Sequence, residues 1–376
     1  MSLPSETASK LNFRFTIAKK INFATHQNSY AVIREMRLEN LDKEEPLKDL
    51  TVVLNSDPQF LKPKQWRVDR IEPNGSIPIR DRDIKLVGQH LANLREAVAG
   101  SLEFTVYQNG DAIAEKAFDV ELLAPNEWGG TAFMPELLAA FCLPNDPVID
   151  QILHDASKLL QQAGRPSQID GYRSGSRERV WELASAIYAA VANLGLTYAT
   201  PPASFETNGQ KIRLPTQIIK GRVATCLDSA LLLAAAFEQA GLNAIVCLLK
   251  DHALSGVWLQ PEKLSSITND EAEVIRKRFQ LKELVLAEST FVTSHPAPPF
   301  SKAVDNAFAQ LKAENDGQFV SAIDIARARA HKISPLGFRS SKEGLVNANP
   351  DLADVQLPLE HAPSLPDFDQ ELEEQK

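Results

Sequence analysis

Cysteines, long apolar runs and surplus positive charge are all scarce in this sequence. Its 376 residues include only three cysteines, Cys142, Cys226 and Cys247. A set this small and odd in number does not predict a disulfide framework, and it favours a reducing compartment. No spacing of Cys and His residues is typical of a zinc site. We expect no metal and no cofactor.

Targeting signals are lacking as well. No apolar run approaches the ~20 residues that a membrane span requires. The first residues, MSLPSETASK, lack the apolar core of a secretory signal peptide. The sequence therefore predicts a cytoplasmic protein with no membrane contact.

The negative charge of the chain is concentrated near its C-terminus. The formal net charge is −9, and residues 341–376 carry two lysines against nine acidic residues, a net of −7. Subtracting −7 from −9 leaves −2 for the preceding residues. This is not the basic footprint of a nucleic-acid binder, so we expect no direct nucleic-acid binding. We interpret the small basic cluster of Arg173, Arg177 and Arg179 as a solvated helix start.

Residues 11–125 have the pattern of an all-β domain, after a flexible N-terminus at residues 1–10. Short alternating runs such as YAVIREMRLEN and LTVVLNS are separated by Asn, Asp, Gly and Pro turns. Asn109-Gly110 is typical of a tight hairpin turn. Antiparallel strands at this spacing predict an immunoglobulin-like β-sandwich.

Residues 126–332 change to a mixed helical and strand pattern. Helical spacing of apolar residues predicts helices over 135–141, 147–162 and 177–194, with Ser176 as an N-cap. Three strands follow, in NAIVCLL, HALSGVWL and ELVLAEST, and then a helical region over about 301–330. The fold class predicted for the whole chain is therefore α+β. Residues 333–376 lose periodicity and predict a disordered acidic tail or linker.

The segment GRVATCLDSALLLAAAFEQAG, residues 221–241, is the most informative stretch of the chain. Thr225 and Asp228 predict a capping box, and the apolar residues that follow predict a central buried helix ending at Gly241. Cys226 would then lie in the first turn. Unpaired backbone N–H groups and the helix dipole stabilise a thiolate there, and the same N–H groups can stabilise an oxyanion.

His252 and Glu288 are the candidates for a base and for a group that orients it. If strands HALSGVWL and ELVLAEST pair, these two side chains can face each other across the ladder. Glu288 interrupts an apolar stripe with Leu284 and Leu286, and a buried carboxylate needs a partner. Asp251, next to His252, should point to the opposite face, so it is a poor candidate.

This order of helix-start Cys, strand His and strand acid resembles the transglutaminase-like branch of the papain-type thiol enzymes. Residues 201–259 resemble the transglutaminase-like domain near the N-terminus of large bacterial proteins that also carry a superfamily-one helicase, and the resemblance extends over about 15–335. It implies a cysteine peptidase with Cys226 as nucleophile, His252 as general base and Glu288 as the third member. The family usually has Asp in that third place.

The resemblance also implies a protein or peptide substrate, a helicase domain or subunit as partner, and a role in bacterial processes such as phage defence. This chain itself contains no GxxxxGK[ST] P-loop.

Other interpretations of these residues stay open. Cys226, His252 and Glu288 are also compatible with structural roles, in which case the chain is a catalytically silent interaction module. A protein deamidase or transglutaminase uses the same acyl-enzyme chemistry. Cys142, Cys247 and Trp258 are expected to belong to the core, and Gln217 is expected to be a solvated loop residue. The loop 200–216 can cover the site.

Overall fold

A computed structural model describes residues 10–337, 357 and 359–366 of the chain. The chain forms two compact units, Met1–Glu127 and Trp128–Lys376, and both helices and strands contribute to the architecture. The predicted flexible N-terminus and most of the predicted acidic tail lie outside the described residues. Within the described residues, no helix combines the length and apolarity needed to cross a membrane.

The first unit is built mainly from strands. Its elements are β1 Leu11–Ile17, β2 Lys20–Ile21, α1 Phe23–Gln27, β3 Ile33–Asn40, β4 Leu47–Asp57, β5 Lys64–Ile71, β6 Ser76–Pro78, α2 Gly88–Ala92, β7 Val98–Gln108 and β8 Asp111–Leu122. Strand β9, Glu127–Trp128, lies at the boundary with the second unit.

Two sheets of the first unit share one hydrophobic core. The five-stranded sheet has the order β2-β8-β7-β4-β5, and the three-stranded sheet has the order β1-β3-β6. Strand β4 shows the alternation that this arrangement needs, since Leu50, Val52 and Leu54 are buried while the residues between them are not. The Asn109-Gly110 hairpin is confirmed, and both turn residues adopt the positive φ, 53° and 93°, of a type I′ turn.

The second unit contains the remaining elements. Its α-helices are α3 Pro147–Gln162, α4 Arg177–Ala192, α5 Phe205–Asn208, α6 Pro215–Gly221, α7 Cys226–Gln239, α8 Ala272–Gln280, α9 Phe300–Gln310 and α10 Ile325–Ala330. Its strands are β10 Thr197–Tyr198, β11 Gln210–Lys211, β12 Val223–Ala224, β13 Ala244–Leu249, β14 His252–Trp258, β15 Thr268–Asn269, β16 Leu284–Glu288 and β17 Phe319–Asp324. Short 3₁₀ helices lie at Pro135–Phe141, Ser289–Thr293 and Ala313–Gln318.

A five-stranded antiparallel sheet organises the second unit, with the order β15-β17-β13-β14-β16. On one face, Leu254, Trp258 and Leu286 join a core cluster that includes residues of α8 and α9. No residue of α7 belongs to this cluster, and α7 packs against β13 and β14. Helices α8 and α9 thus share a core cluster with this sheet to which α7 does not contribute.

Two predictions about this unit are wrong. The region 301–330 is not continuously helical, because the buried strand β17 separates α9 from α10 and pairs with β13. The run FVSAID is short, and an apolar run of that length fits a strand or a helix equally well by periodicity alone.

The predicted solvated basic cluster is also wrong for Arg177 and Arg179, which are buried, while Arg173 is exposed as expected. Arg177 donates to the Gln260 side chain, and Arg179 donates to the carbonyls of Pro166 and Gln168. Through these hydrogen bonds the two arginines hold neighbouring loops against α4. The predicted N-cap is confirmed, because the Ser176 side chain accepts a hydrogen bond from the Arg179 N–H.

Candidate active site

The start of α7 places Cys226 at the first helical position. Thr225 caps the helix by accepting from the Asp228 N–H at 3.2 Å, and the Asp228 carboxylate accepts from the Thr225 N–H at 2.9 Å. The predicted capping box is thereby confirmed. Arg213 adds two further donors to Asp228, its backbone N–H and its guanidinium, both at 2.8 Å. A fully buried carboxylate thus fixes the backbone on which Cys226 sits.

The Cys226 thiol is enclosed, with 0% of the residue exposed. Burial raises the pKa of the thiol to about 12, and the negative charge of Glu288 adds to the increase. The Leu227 N–H and the Tyr198 hydroxyl oppose it by stabilising the thiolate. Tyr198 itself is 41% exposed, so the buried thiol contacts a residue that reaches the surface. In this closed arrangement Cys226 is a neutral thiol at pH 7.

His252 and Glu288 are brought together by strands β14 and β16. Leu254 is the residue directly opposite Glu288 in the ladder, so His252, two residues before Leu254, is the diagonal neighbour on the same face. The imidazole Nε2 lies 2.8 Å from the Glu288 carboxylate. The hairpin of β13 and β14 pairs Leu249 with His252, which leaves Asp251 in the turn.

Asp251 does not face His252. Its backbone has a φ of 56°, a left-handed conformation that Asp tolerates better than most residues, and its carboxylate accepts from the Ser204 N–H at 2.7 Å. Asp251 is thus bound to Ser204 in the turn before β14, in keeping with the expectation that it is a poor candidate for the orienting acid. Its carboxylate instead attaches the loop 200–216 to the turn before His252.

The Glu288 carboxylate accepts four hydrogen bonds. One oxygen accepts from the Thr290 N–H at 2.9 Å and the Thr290 hydroxyl at 2.7 Å. The other accepts from His252 and, at 2.7 Å, from the Gln310 side-chain amide. Burial raises the pKa of Glu288, but the hydrogen bond and charge of His252, with the bonds from Thr290, outweigh burial and hold the pKa below its usual value.

This network determines which nitrogen of His252 carries the proton. An ionised carboxylate only accepts hydrogen bonds, so Nε2 must be the protonated nitrogen. When the imidazole is neutral, Nδ1 has its lone pair available, and it forms no hydrogen bond among the described residues. A neutral imidazole in this tautomer can take a proton at Nδ1.

The Ser289 side chain contacts the backbone of the segments that carry the three candidate residues. Its buried side chain lies 2.6 Å from the Ala253 carbonyl and 3.1 Å from the Cys226 carbonyl. Ala253 follows His252, and Ser289 itself follows Glu288. The thiol and the imidazole form no direct hydrogen bond among the described residues. Catalytic hydrogen bonds are often long in the absence of substrate.

The segment 200–216 is more ordered than a simple loop, because it contains α5 and β11 and leads into α6. Gln217 is exposed, as expected, but it lies in α6 and not in a loop. It caps that helix by accepting from the Leu214 N–H at 3.0 Å. Gln210 is buried and donates to the Thr225 hydroxyl at 3.1 Å. This segment packs over the start of α7.

The residues expected in the core are buried. Cys142 and Cys247 are fully buried, and burial raises the pKa of both thiols. Trp258 is 1% exposed, and its indole N–H donates to Asp324 at 3.1 Å. Trp258 therefore packs inside the second unit and does not line a substrate groove.

Four residues of the site were missed by the sequence analysis: Tyr198, Ser289, Thr290 and Gln310. Ser289 and Thr290 carry a usable signal, since they are polar residues directly after an acid that ends an apolar strand. Tyr198 and Gln310 carry none, because only the tertiary fold brings them to Cys226 and Glu288.

The described residues contain no group of three or more His, Cys, Asp or Glu side chains arranged to hold a metal ion. Comparison with known proteins gives no match, either to a protein-family model or to a curated protein.

Proposed function

We propose that this chain is a thiol enzyme of transglutaminase-like type, a cysteine peptidase in which Cys226, His252 and Glu288 form the catalytic triad. The observation that carries the proposal is the 2.8 Å hydrogen bond between His252 and Glu288, with Ser289 linking both strands to the Cys226 carbonyl. In fold terms, we propose an immunoglobulin-like β-sandwich for the first unit and a transglutaminase-like domain for the second.

The proposed reaction begins from a neutral thiol. His252 Nδ1 takes the thiol proton as the sulfur attacks a peptide carbonyl carbon, and the N–H groups at the start of α7 stabilise the resulting oxyanion. The imidazolium then protonates the leaving amine, and the C–N bond breaks to give a thioester. His252 next deprotonates a water molecule, which attacks the thioester and releases the acid and the free thiol. Glu288 holds the imidazole in its tautomer throughout.

The closed site requires a rearrangement before this reaction. Cys226 is fully buried, so a substrate must displace residues around the sulfur, which Tyr198 contacts, to reach it. The same opening lowers the burial that keeps the thiol neutral. A peptide substrate must therefore open the site, whereas a reagent as small as iodoacetamide needs only a transient local opening to reach the sulfur.

The resemblance to helicase-linked bacterial proteins supports two further parts of the proposal. One is a helicase domain or subunit as partner, and the other is a role in bacterial defence against phage. A protein deamidase or transglutaminase would use the same thioester, with a glutamine side chain as the acyl donor.

A second candidate function is a catalytically silent interaction module. The complete burial of Cys226 and its raised pKa favour this candidate, because an inert cysteine has the same properties. The two candidates differ in whether the reactivity of Cys226 depends on His252.

The test is the rate of alkylation of Cys226 by iodoacetamide from pH 4 to 10, read by peptide mass spectrometry. His252→Ala is compared with the unaltered protein, and Cys142 and Cys247 serve as internal buried controls. We expect Cys226 to react faster than both controls near neutral pH and to slow at least about tenfold in His252→Ala. A Cys226 rate equal to that of the controls and unaffected by the substitution would favour the silent module.

A further inference from the structure

The C-terminal end of helix α9 reaches the proposed triad at Glu288. Gln310, the last residue of α9, donates from its side-chain nitrogen to the Glu288 carboxylate at 2.7 Å. The accepting oxygen is the same one that accepts from His252. Gln310 is therefore separated from the imidazole by a single oxygen atom.

The orientation of the Gln310 amide is fixed by a second bond. Its nitrogen also donates to the Asn306 side-chain oxygen at 2.7 Å, one helical turn earlier. With acceptors on both N–H groups, the nitrogen and not the oxygen of the amide must face Glu288. This arrangement distinguishes glutamine from an isosteric glutamate at this position.

The hydrogen bonds from Gln310 and Thr290 fill three of the four acceptor positions of the carboxylate. His252 fills the fourth. Thr290 donates both of its hydrogen bonds to one carboxylate oxygen of Glu288. Gln310 donates to the other oxygen, the one that also binds the imidazole. A carboxylate with four acceptor sites filled cannot rotate without breaking a bond.

We infer that Gln310 is a positioning residue for the proposed triad. It holds the Glu288 carboxylate oriented toward His252 Nε2, and it acts on Cys226 only through those two residues. The inference rests on the proposed function, because it has meaning only if His252 serves Cys226.

Two substitutions of Gln310 separate positioning from packing. Gln310→Met keeps the length and the helix propensity but removes the donor. Gln310→Glu keeps the shape and places a titratable carboxyl group against Glu288. When protonated, that group donates the same hydrogen bond, and when ionised it repels Glu288. Asp305→Ala, on the exposed side of α9, is the matched control.

The experiment is iodoacetamide alkylation of Cys226 across pH 4 to 10 in the full chain, with circular dichroism to verify folding of each variant. We expect Gln310→Met to lower the rate about tenfold at every pH, as for loss of a hydrogen bond to a charged group. Gln310→Glu should match the unaltered protein in mild acid and fall below it as the pH rises. Asp305→Ala should have no effect.

The outcomes distinguish the inference from the proposed function. If His252→Ala slows alkylation but both Gln310 variants behave like Asp305→Ala, the role of Gln310 is refuted and the triad stands. Equal, pH-independent losses in the two Gln310 variants would indicate packing alone and would also refute the inference. If His252→Ala has no effect, the proposed function itself fails.

Discussion

Removal of the Asp228 carboxylate is expected to destabilise the helix that carries Cys226. Asp228 is fully buried and accepts from the N–H groups of Thr225 and Arg213 and from the Arg213 guanidinium, at 2.8–2.9 Å. In Asp228→Ala, both backbone donors lose their acceptor in a buried environment.

The magnitude follows from these contacts. Each buried N–H group left without an acceptor costs about 1–3 kcal/mol, and the Thr225 N–H bond is the half of the capping box that is lost, so the cap adds no separate cost. The Arg213 side chain is 41% exposed, so its ion pair with Asp228 adds at most about 1 kcal/mol. We expect a loss of about 3–5 kcal/mol in local stability for Asp228→Ala. Asp228→Asn keeps one acceptor oxygen and should lose about half as much.

Hydrogen–deuterium exchange of the α7 amides measures this quantity directly, because it reports the free energy of local opening. This local measurement does not require that unfolding of a chain of two units be treated as a single two-state transition. Asp305→Ala, an exposed acid on another helix, is the control. Protection of α7 that is equal in Asp228→Ala and Asp305→Ala would refute the reasoning.

Three further predictions concern the surroundings of the site. Glu360 accepts from the Ser301 N–H and hydroxyl at the start of α9, so Glu360→Gln should reduce protection of the α9 amides by about 0.5–1 kcal/mol; unchanged exchange would contradict this. Tyr198→Ala should uncover Cys226 and speed its alkylation more than Tyr198→Phe does, and equal rates in the two variants would exclude a covering role for the ring. The pKa of Glu288 is lowered in the folded chain, so its contribution to stability is present above its ordinary pKa and is lost as the pH falls through the lower, folded value. Thermal melts from pH 6 to 2 should therefore show a weaker pH dependence in Glu288→Gln, and identical slopes would show that Glu288 does not contribute.

Helix α7 was predictable because all of its signals are local. Thr225 and Asp228 lie three residues apart at its start, apolar residues surround the helix axis, and Gly241 follows its end with a φ of 80°. Pairing of β14 with β16 was predictable for a similar reason. Each strand is short and apolar, and the acid in one strand needs a partner that the other supplies.

The features that escaped prediction depend on long-range packing. Arg177 is buried only because Gln260 and the Lys282 carbonyl lie beside it, and they are remote in the sequence. Strand β17 is recognisable as a strand only beside β13. Gln310 lies 22 residues after Glu288, and its spacing carries no signal for a contact between them. The contact between the Tyr198 hydroxyl and the Cys226 thiol likewise joins residues 28 positions apart, which pairing of β10 with β12 brings together.

The length of the Glu288 side chain is explained by the register of the sheet. Glu288 is directly opposite Leu254, so its carboxylate must reach the diagonal neighbour His252, across about 7–8 Å between backbones. Glu288→Asp shortens the side chain by one carbon–carbon bond of about 1.5 Å and would lengthen the 2.8 Å contact to about 4.3 Å, beyond hydrogen-bond distance. The contacts with Thr290 and Gln310 would stretch as well.

We therefore expect Glu288→Asp to slow alkylation of Cys226 by about 10- to 100-fold, although the charge is unchanged. Glu288→Gln keeps the reach and removes the charge, so the two variants separate geometry from electrostatics. If reach decides the function of this residue, Glu288→Gln retains more of the Cys226 reactivity than Glu288→Asp does. A fully reactive Glu288→Asp variant would mean that the sheet adjusts by more than an ångström, and the register would then not explain why glutamate occupies this position.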